Sequence, residues 1–389
     1  MVKPLSILLL LPLIALVAAC APSRSIESVN LLSSLAGGEH PEGIDRWAIR
    51  FEGEGGPRAG DLYRNPAAPS QAGLMLLPGA SPNGRDDPRV IAFAAGWADA
   101  GFLVLVPEIE NLRRQQVSAS DAEVMADSLR YLDRLLEPEQ PLGAFGLSYA
   151  VGPLMLALEQ PDLEQRVDFM VALGGYHSSE RVATYFTTGA FRRRDSDRWR
   201  FNEPDSFGTW IFAHSNASRL SDPQDQRLLQ RIAQRRIRDP EADITDLTAT
   251  LGPEGLAVLA FIENEDPDAA PGLRESLPER IKQEMAALDL SNQDLSGPGP
   301  ELILIHGKQD SVIPYTESLA LAAAVNGEEG DRAELYLLDQ FRHTDLGRTT
   351  VGDVVTLSSA LYRILEIRDR VEESEERGRP VAPQPREGR

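Results

Sequence analysis

A chain of 389 residues, 42% hydrophobic and 25% charged, can bury a sizeable core as one large domain or two smaller ones, which excludes disorder throughout. Its formal net charge of −21, from 60 acidic against 39 basic residues, argues against a polyanionic partner such as nucleic acid and says nothing about a reaction. The single cysteine, Cys20, excludes an intramolecular disulfide, so stability must come from the core.

At the N-terminus, Lys3 precedes an apolar run from Leu5 to Ala19 that ends Val17-Ala18-Ala19-Cys20. The run resembles a bacterial lipoprotein signal peptide. Small residues before the cut let the segment enter a peptidase cleft in extended form, and the Cys20 thiol is the lipidation site. A short transmembrane anchor is the other reading, at the lower limit of length for spanning a bilayer. The resemblance implies a signal peptide at 1–19 and a membrane partner reached through several acyl chains, palmitate among them, at Cys20. Ala21 follows the cysteine, and the absence of Asp there resembles lipoproteins sent to the periplasmic side of the outer membrane.

Residues 20–45 contain Ser, Gly, Glu and Pro without a sustained period and predict a tether. Trp47 to Phe51 and Gly60 to Tyr63 predict a hairpin, and apolar runs at Gly73–Leu77, Phe102–Val106, Leu142–Phe145, Val167–Leu173, Glu301–Ile305 and Glu334–Leu338 predict buried strands. Helices fall between them. Ser120 caps one in which Met125, Leu129, Leu132 and Leu136 share a face, and the last presents Val351, Val355, Ser358, Leu361 and Leu365. The alternation describes an α/β fold with a doubly wound, mostly parallel sheet.

It breaks at 178–295, where helical spacing takes over, as in Leu273, Leu277, Ile281, Met285 and Leu288. We read this stretch as a helical cap inserted into a core of 46–177 and 296–368, with 369–389, dense in Glu, Arg and Pro, as a disordered tail. Early in the cap, aromatics including Tyr185, Phe186, Phe191, Trp210 and Phe212 either fill its own core or line an apolar pocket.

Gly146-Leu147-Ser148-Tyr149-Ala150 follows the strand Leu142–Phe145 and precedes a helical run from Val151 to Leu158. A serine presented on so tight a bend requires tiny residues two places before and after it, which Gly146 supplies fully and Ala150 nearly. The segment resembles the nucleophile elbow of the α/β-hydrolase superfamily, with Ala for the usual second Gly. His306-Gly307-Lys308-Gln309-Asp310 after the strand Leu302–Ile305 resembles that superfamily's acid loop, and Phe341-Arg342-His343 follows the strand Glu334–Leu338. The order Ser, Asp, His is the superfamily's order. The resemblance, strongest over the sheet, implies Ser148 as nucleophile, His343 as general base and Asp310 as the acid that orients it.

It also implies an oxyanion hole of backbone N–H groups, one from Tyr149 and one from Ala80 in the loop Pro78-Gly79-Ala80-Ser81, where Pro78 replaces the His of many relatives. Among other candidates, Asp345 is a rival acid but lies too near His343 in sequence to reach behind the imidazole. His306, His177, His214 and His40 are not favoured as base. The run Arg192-Arg193-Arg194 with Arg198 and Arg200 reads as a solvated surface, or as a contact for anionic groups. No metal-ligand spacing and no phosphate loop appears, so no cofactor is implied. The expected activity is that of a carboxylic ester hydrolase working through an acyl-enzyme. The alternatives are a serine peptidase of the same fold and a non-catalytic envelope binding lipoprotein.

Overall fold

The computed structural model describes residues 22–38, 41–193, 196–328, 330–342 and 350–370. In chain order, helix α1 (Pro22–Gly37) leads into the antiparallel hairpin β1 (Asp45–Gly53) and β2 (Gly56–Arg64), which closes by the tight turn Glu54-Gly55. Then come β3 (Ala72–Leu77), α2 (Pro88–Asp99), β4 (Phe102–Pro107), a short α3 (Glu110–Arg113), α4 (Asp121–Asp133) and β5 (Leu142–Leu147). Helices α5 (Val151–Leu158) and α6 (Pro161–Arg166) precede β6 (Phe169–Leu173).

An insertion follows: α7 (Ser179–Thr188), the short strands β7 (Ala190–Phe191) and β8 (Arg200–Phe201), α8 (Ser206–Asn216), α9 (Pro223–Arg238), α10 (Thr245–Thr248), α11 (Pro253–Ile262), α12 (Ala270–Glu275) and α13 (Glu279–Ala287). The chain returns through β9 (Glu301–Gly307), α14 (Thr316–Asn326), β10 (Ala333–Leu338) and α15 (Val351–Arg368).

Among the described residues the sheet has eight strands in the order β1-β2-β4-β3-β5-β6-β9-β10, parallel from β4 onward. Its central strands are buried on both faces, and alternate residues feed two apolar layers. Met75, Leu103, Leu105, Leu302 and Leu304 face α4, α5 and α14. Leu74, Leu76, Val104, Ile303 and Ile305 face α1, α2 and α15. Such continuous apolar runs are what a sheet covered on both sides requires. The order and the helical cover are those of the α/β-hydrolase architecture, and the predicted strands all occur.

Four local expectations are corrected. The stretch read as a tether is, over 22–37, a helix seated on α15, ended at Gly38 by a left-handed φ of 63°. Its buried positions, Arg24, Ser25, Ser28 and Leu31, fall at three- and four-residue steps, but mostly as polar residues. Arg368 donates to both carboxylate oxygens of Glu27 and to the Ala100 carbonyl, and Arg24 Nε reaches Asp369 Oδ2 at 2.9 Å.

On α15, Val351 and Val355 are exposed, and the buried face is Leu357, Leu361, Ile364 and Leu365. A shared helical face there does not mean burial. Leu273 to Leu288 is two helices, α12 and α13, because Pro278 forbids a continuous helix through Leu277. Ser120 stands at the start of α4 with its hydroxyl bonded to Ser118 Oγ at 2.9 Å, leaving the backbone uncapped.

If α1 belongs to the fold, Leu31→Ala should lower the unfolding free energy by about 2 kcal/mol or more, seen as a lower urea midpoint. An unchanged midpoint would restore the tether reading.

Candidate active site

The chain leaves β5 at Leu147 in extended conformation and turns at once into a single 3-10 turn, Ser148–Ala150, that runs on into α5. Ser148 takes φ 55°, one of two non-glycine residues with positive φ among those described. Strain of this kind costs on the order of 1–3 kcal/mol and persists only where the surroundings over-determine it. The neighbours do so by being small. A Cβ on Gly146 would lie 3.1 Å from Leu154 Cδ2 and 3.4 Å from Val151 Cγ2, and Ala150 is fully buried. The turn leaves Ser148 6% exposed at the N-terminal end of α5, where unpaired N–H groups favour negative charge.

Strand register brings the other candidates to the same edge. Leu77 pairs with Gly146, Leu147 with Leu173, and Leu173 with Ile305, so the segments that follow emerge side by side. The loop after β3 runs past Ser148: a Cβ on Gly79 would stand 3.5 Å from Ser148 Cβ. Ala80 is the next residue. After β9, Asp310 is buried, and its Oδ1 accepts from the amides of Val312 at 2.8 Å and Ile313 at 2.9 Å. This local turn fixes the carboxylate by its own backbone.

His306 supports the same loop. Its Nε2 lies 2.9 Å from the Ile313 carbonyl and 3.4 Å from Asp310 Oδ2, and its Nδ1 lies 2.7 Å from Ser318 Oγ. A carbonyl only accepts, so Nε2 donates to it. With both nitrogens engaged, His306 is a strut.

Strand β10 pairs in register with β9 up to Leu338 and Gly307. The chain beyond it passes so close that a Cβ on Gly307 would overlap the Phe341 carbonyl. His343 and the rival Asp345 lie outside the described residues, as do Cys20, His40 and the tail from 371 onward.

The insertion is fastened over this edge by buried carboxylates. Glu317, on α14, accepts from the amides of His177 at 3.1 Å and Ser178 at 2.7 Å and from Arg181 Nε at 2.7 Å. Asp289, where the insertion returns, accepts from Ser178 Oγ at 2.9 Å and the Ser291 amide at 2.9 Å. Two bonds reach the acid loop itself: Tyr185 Oη donates to the Asp310 carbonyl at 2.7 Å, and the Asp205 amide to the Ser311 carbonyl at 2.8 Å. Burial pushes the Tyr185 hydroxyl's pKa up, and the nearby Asp310 carboxylate adds to the rise. Sequence reasoning named Tyr185 only among the aromatics of the cap and missed Glu317 and Asp289, whose partners across the insertion lie more than a hundred residues away; Asp310's local turn had a sequence signal.

Other candidates are engaged by neighbouring groups. His214 Nε2 meets the Arg114 carbonyl at 3.0 Å, and burial lowers its pKa. His177 is buried beside Arg181 at 3.1 Å. In the basic run, Arg192 stacks over Trp199 at 4.5 Å and Arg200 reaches Tyr315 Oη at 3.2 Å, while Arg194 is outside the described residues. Among the described residues, no group of three or more His, Cys, Asp or Glu is placed to hold a metal ion, and no helix is long and apolar enough to cross a membrane.

No family model and no curated protein matches the sequence. Solved structures do match in fold. A Legionella pneumophila protein assigned as a hydrolase is 14% identical, over 85% of this chain and 90% of that one, with a TM-score of 0.54. A mutant of the rice cell wall degrading esterase LipA from Xanthomonas oryzae is 12% identical over 88% of this chain and 95% of that one, at 0.51. The ligand-bound form of the same esterase is 14% identical over 86% and 93%, at 0.50. The chain therefore has the α/β-hydrolase fold.

Between insertion and core, Asp121 is buried, with Asn111 Nδ2 donating to its Oδ1 at 2.8 Å and Oδ2 without a partner. Burial first, and then the Glu284 carboxylate, push its pKa up to about 6, against the pull of Asn111 and Arg219. A folded-state pKa above the unfolded one makes its contribution to stability greatest below about pH 4, and that contribution is lost as pH rises through 6. Asp121→Asn should raise stability at pH 7 by on the order of 1–2 kcal/mol and flatten the dependence between pH 4 and 6. Thermal melts across that range check it.

Proposed function

We propose that the chain is a serine hydrolase acting on carboxylic esters, with Ser148 as nucleophile, His343 as general base and Asp310 as the acid that orients it. The observation that carries the reading is the positive φ of Ser148 on a tight turn at the sheet edge where Gly79 and the Asp310 loop converge. A packing serine gains nothing from such strain.

In this reading Ser148 Oγ bonds to the ester carbonyl carbon while its proton passes to His343. The charge on the carbonyl oxygen is met by the backbone N–H groups of Tyr149 and Ala80 and by the end of α5. Collapse of the tetrahedral adduct breaks the bond to the alcohol, which leaves with the proton from His343. Water, deprotonated by the same base, then attacks the acyl-enzyme and releases the acid. Asp310, held by two amides, keeps the imidazole in the tautomer that can accept from serine.

The position of the chain in the cell belongs to the same proposal. Lipid chains on Cys20 anchor it in a cell envelope, on the periplasmic side of the outer membrane, supported by the Val17-Ala18-Ala19-Cys20 segment.

Ser148→Ala should abolish labelling by a fluorophosphonate and nearly all ester turnover. Asp310→Asn should retain more activity than Ser148→Ala and yet lose on the order of a thousandfold or more. Full turnover in purified Ser148→Ala would sink the assignment and leave a binding lipoprotein as the reading. For the anchor, Cys20→Ser should move the protein from the detergent phase to the aqueous phase with unchanged specific activity. A variant that stays in the detergent phase removes the anchor.

A further inference from the structure

Against Tyr149, the residue that follows Ser148, and walled by helices of the insertion lies a cavity of about 70 Å³. Its floor is Tyr149 and Tyr176, and its walls include Phe186 of α7, Phe212 of α8, and Met285 and Leu288 of α13. Apart from the two tyrosines, the polar side chains at its border are engaged by the protein. Ser179 Oγ donates to the Met285 carbonyl at 2.7 Å, and Ser215 Oγ accepts from the Val117 amide at 2.9 Å. Asn216 donates to the Phe212 carbonyl at 2.9 Å, and Glu284 accepts from the Ala119 amide at 2.7 Å and pairs with Arg219 at 3.0 Å. The Tyr149 hydroxyl is turned to Gly208 of α8, where a Cβ would lie 3.5 Å away, and the Tyr176 hydroxyl sits against Gly152. The Tyr149 hydroxyl is buried without a hydrogen-bond partner among the described residues; the rest of the lining is mostly apolar, which suits a mainly hydrocarbon group.

Gly208 fixes how much space there is. It lines the cavity with Ile211, Phe212 and Ser215, the same face of α8. A Cβ there would also lie 3.3 Å from Phe186 Cβ, so any side chain must displace the Phe186 wall or enter the cavity.

Resting on the ester-hydrolase reading, we propose that this cavity holds the acyl group and that Gly208 sets its depth, selecting unbranched aliphatic acyl chains of about two to four carbons. A dry cavity of about 150 Å³ holds benzene; one of about 70 Å³ holds a short chain and no ring. The roofed space suits the group that stays on Ser148 through the acyl-enzyme, since the alcohol must leave to solvent.

The test is kcat/KM for p-nitrophenyl acetate, butyrate, hexanoate and octanoate, with the leaving group constant. The wild type should prefer butyrate and fall roughly tenfold or more by octanoate, because a methylene without room costs on that order. Gly208→Ala should lower the butyrate-to-acetate ratio about tenfold, and Met285→Ala should raise octanoate relative to butyrate by a similar factor. Equal use of octanoate and butyrate by the wild type, or ratios unmoved in both folded variants, would overturn the proposal. Calorimetric binding of free butyrate and octanoate to Ser148→Ala separates it from the reading beneath it. If the wild type hydrolyses no ester but Ser148→Ala binds butyrate in preference to octanoate, the hydrolase reading fails and the short-chain site stands; if it binds both alike, the site fails as well.

Discussion

The φ of 55° at Ser148 is the constraint from which the rest of the site follows. A serine will not hold that conformation alone, so the chain on both sides must be pinned. On one side β5 lies between β3 and β6, paired through Gly146 and Leu147. On the other, α5 buries Val151, Leu154 and Leu158 in the layer beneath the sheet. Between these anchors only very small residues fit. Gly146, Ala150 and Gly152 surround the turn in sequence, and Gly79 and Gly175 face it from neighbouring loops, where a Cβ on Gly175 would press on Val151 at 2.8 Å. The strain is thus held by the two hydrophobic layers, which is why a buried core is a precondition of the turn at Ser148.

Asp310 is fixed by a different means, through hydrogen bonds. Val312 and Ile313 donate to its carboxylate, His306 holds the loop through Ile313 and Ser318, and Tyr185 holds the Asp310 carbonyl from the insertion. A charged group at 2% exposure is tolerable only when its lone pairs are met, and nearby backbone amides meet them without the entropy cost of ordering long side chains.

How far the sequence could be read follows from the range of the forces involved. The strands were legible because burial on both faces writes itself as continuous apolar runs, and the elbow because its glycine and alanine are local necessities. Helix α1 was not, since its buried face carries Ser25 and Ser28 and its attachment is Arg368 meeting Glu27 across 341 positions. The α15 face was misread at Val351 and Val355 because periodicity reports which residues share a side, not where the sheet ends. Tyr185 appeared only as one aromatic among several, since nothing near it in sequence names the Asp310 carbonyl as its partner. The proposed base, His343, is read from the order Ser, Asp, His and lies outside the described residues.

The insertion and the acid loop are mechanically one unit. Helix α14 begins where the acid loop ends, and its first turn carries Glu317, which holds the amides at the insertion's start. Tyr185 and Asp205 then tie the insertion back to residues 310 and 311. Buried carboxylates fix these crossings in direction as well as position, because Glu317 and Asp289 each need donors at set angles, whereas apolar contacts tolerate sliding. Losing one partner would leave a buried charge unpaired at a cost of several kcal/mol, so the insertion has few alternative seats. A substitution in it that shifts α7 must therefore also shift the Asp310 loop, and the cavity wall at Phe186 and the bond from Tyr185, one residue apart on that helix, move together.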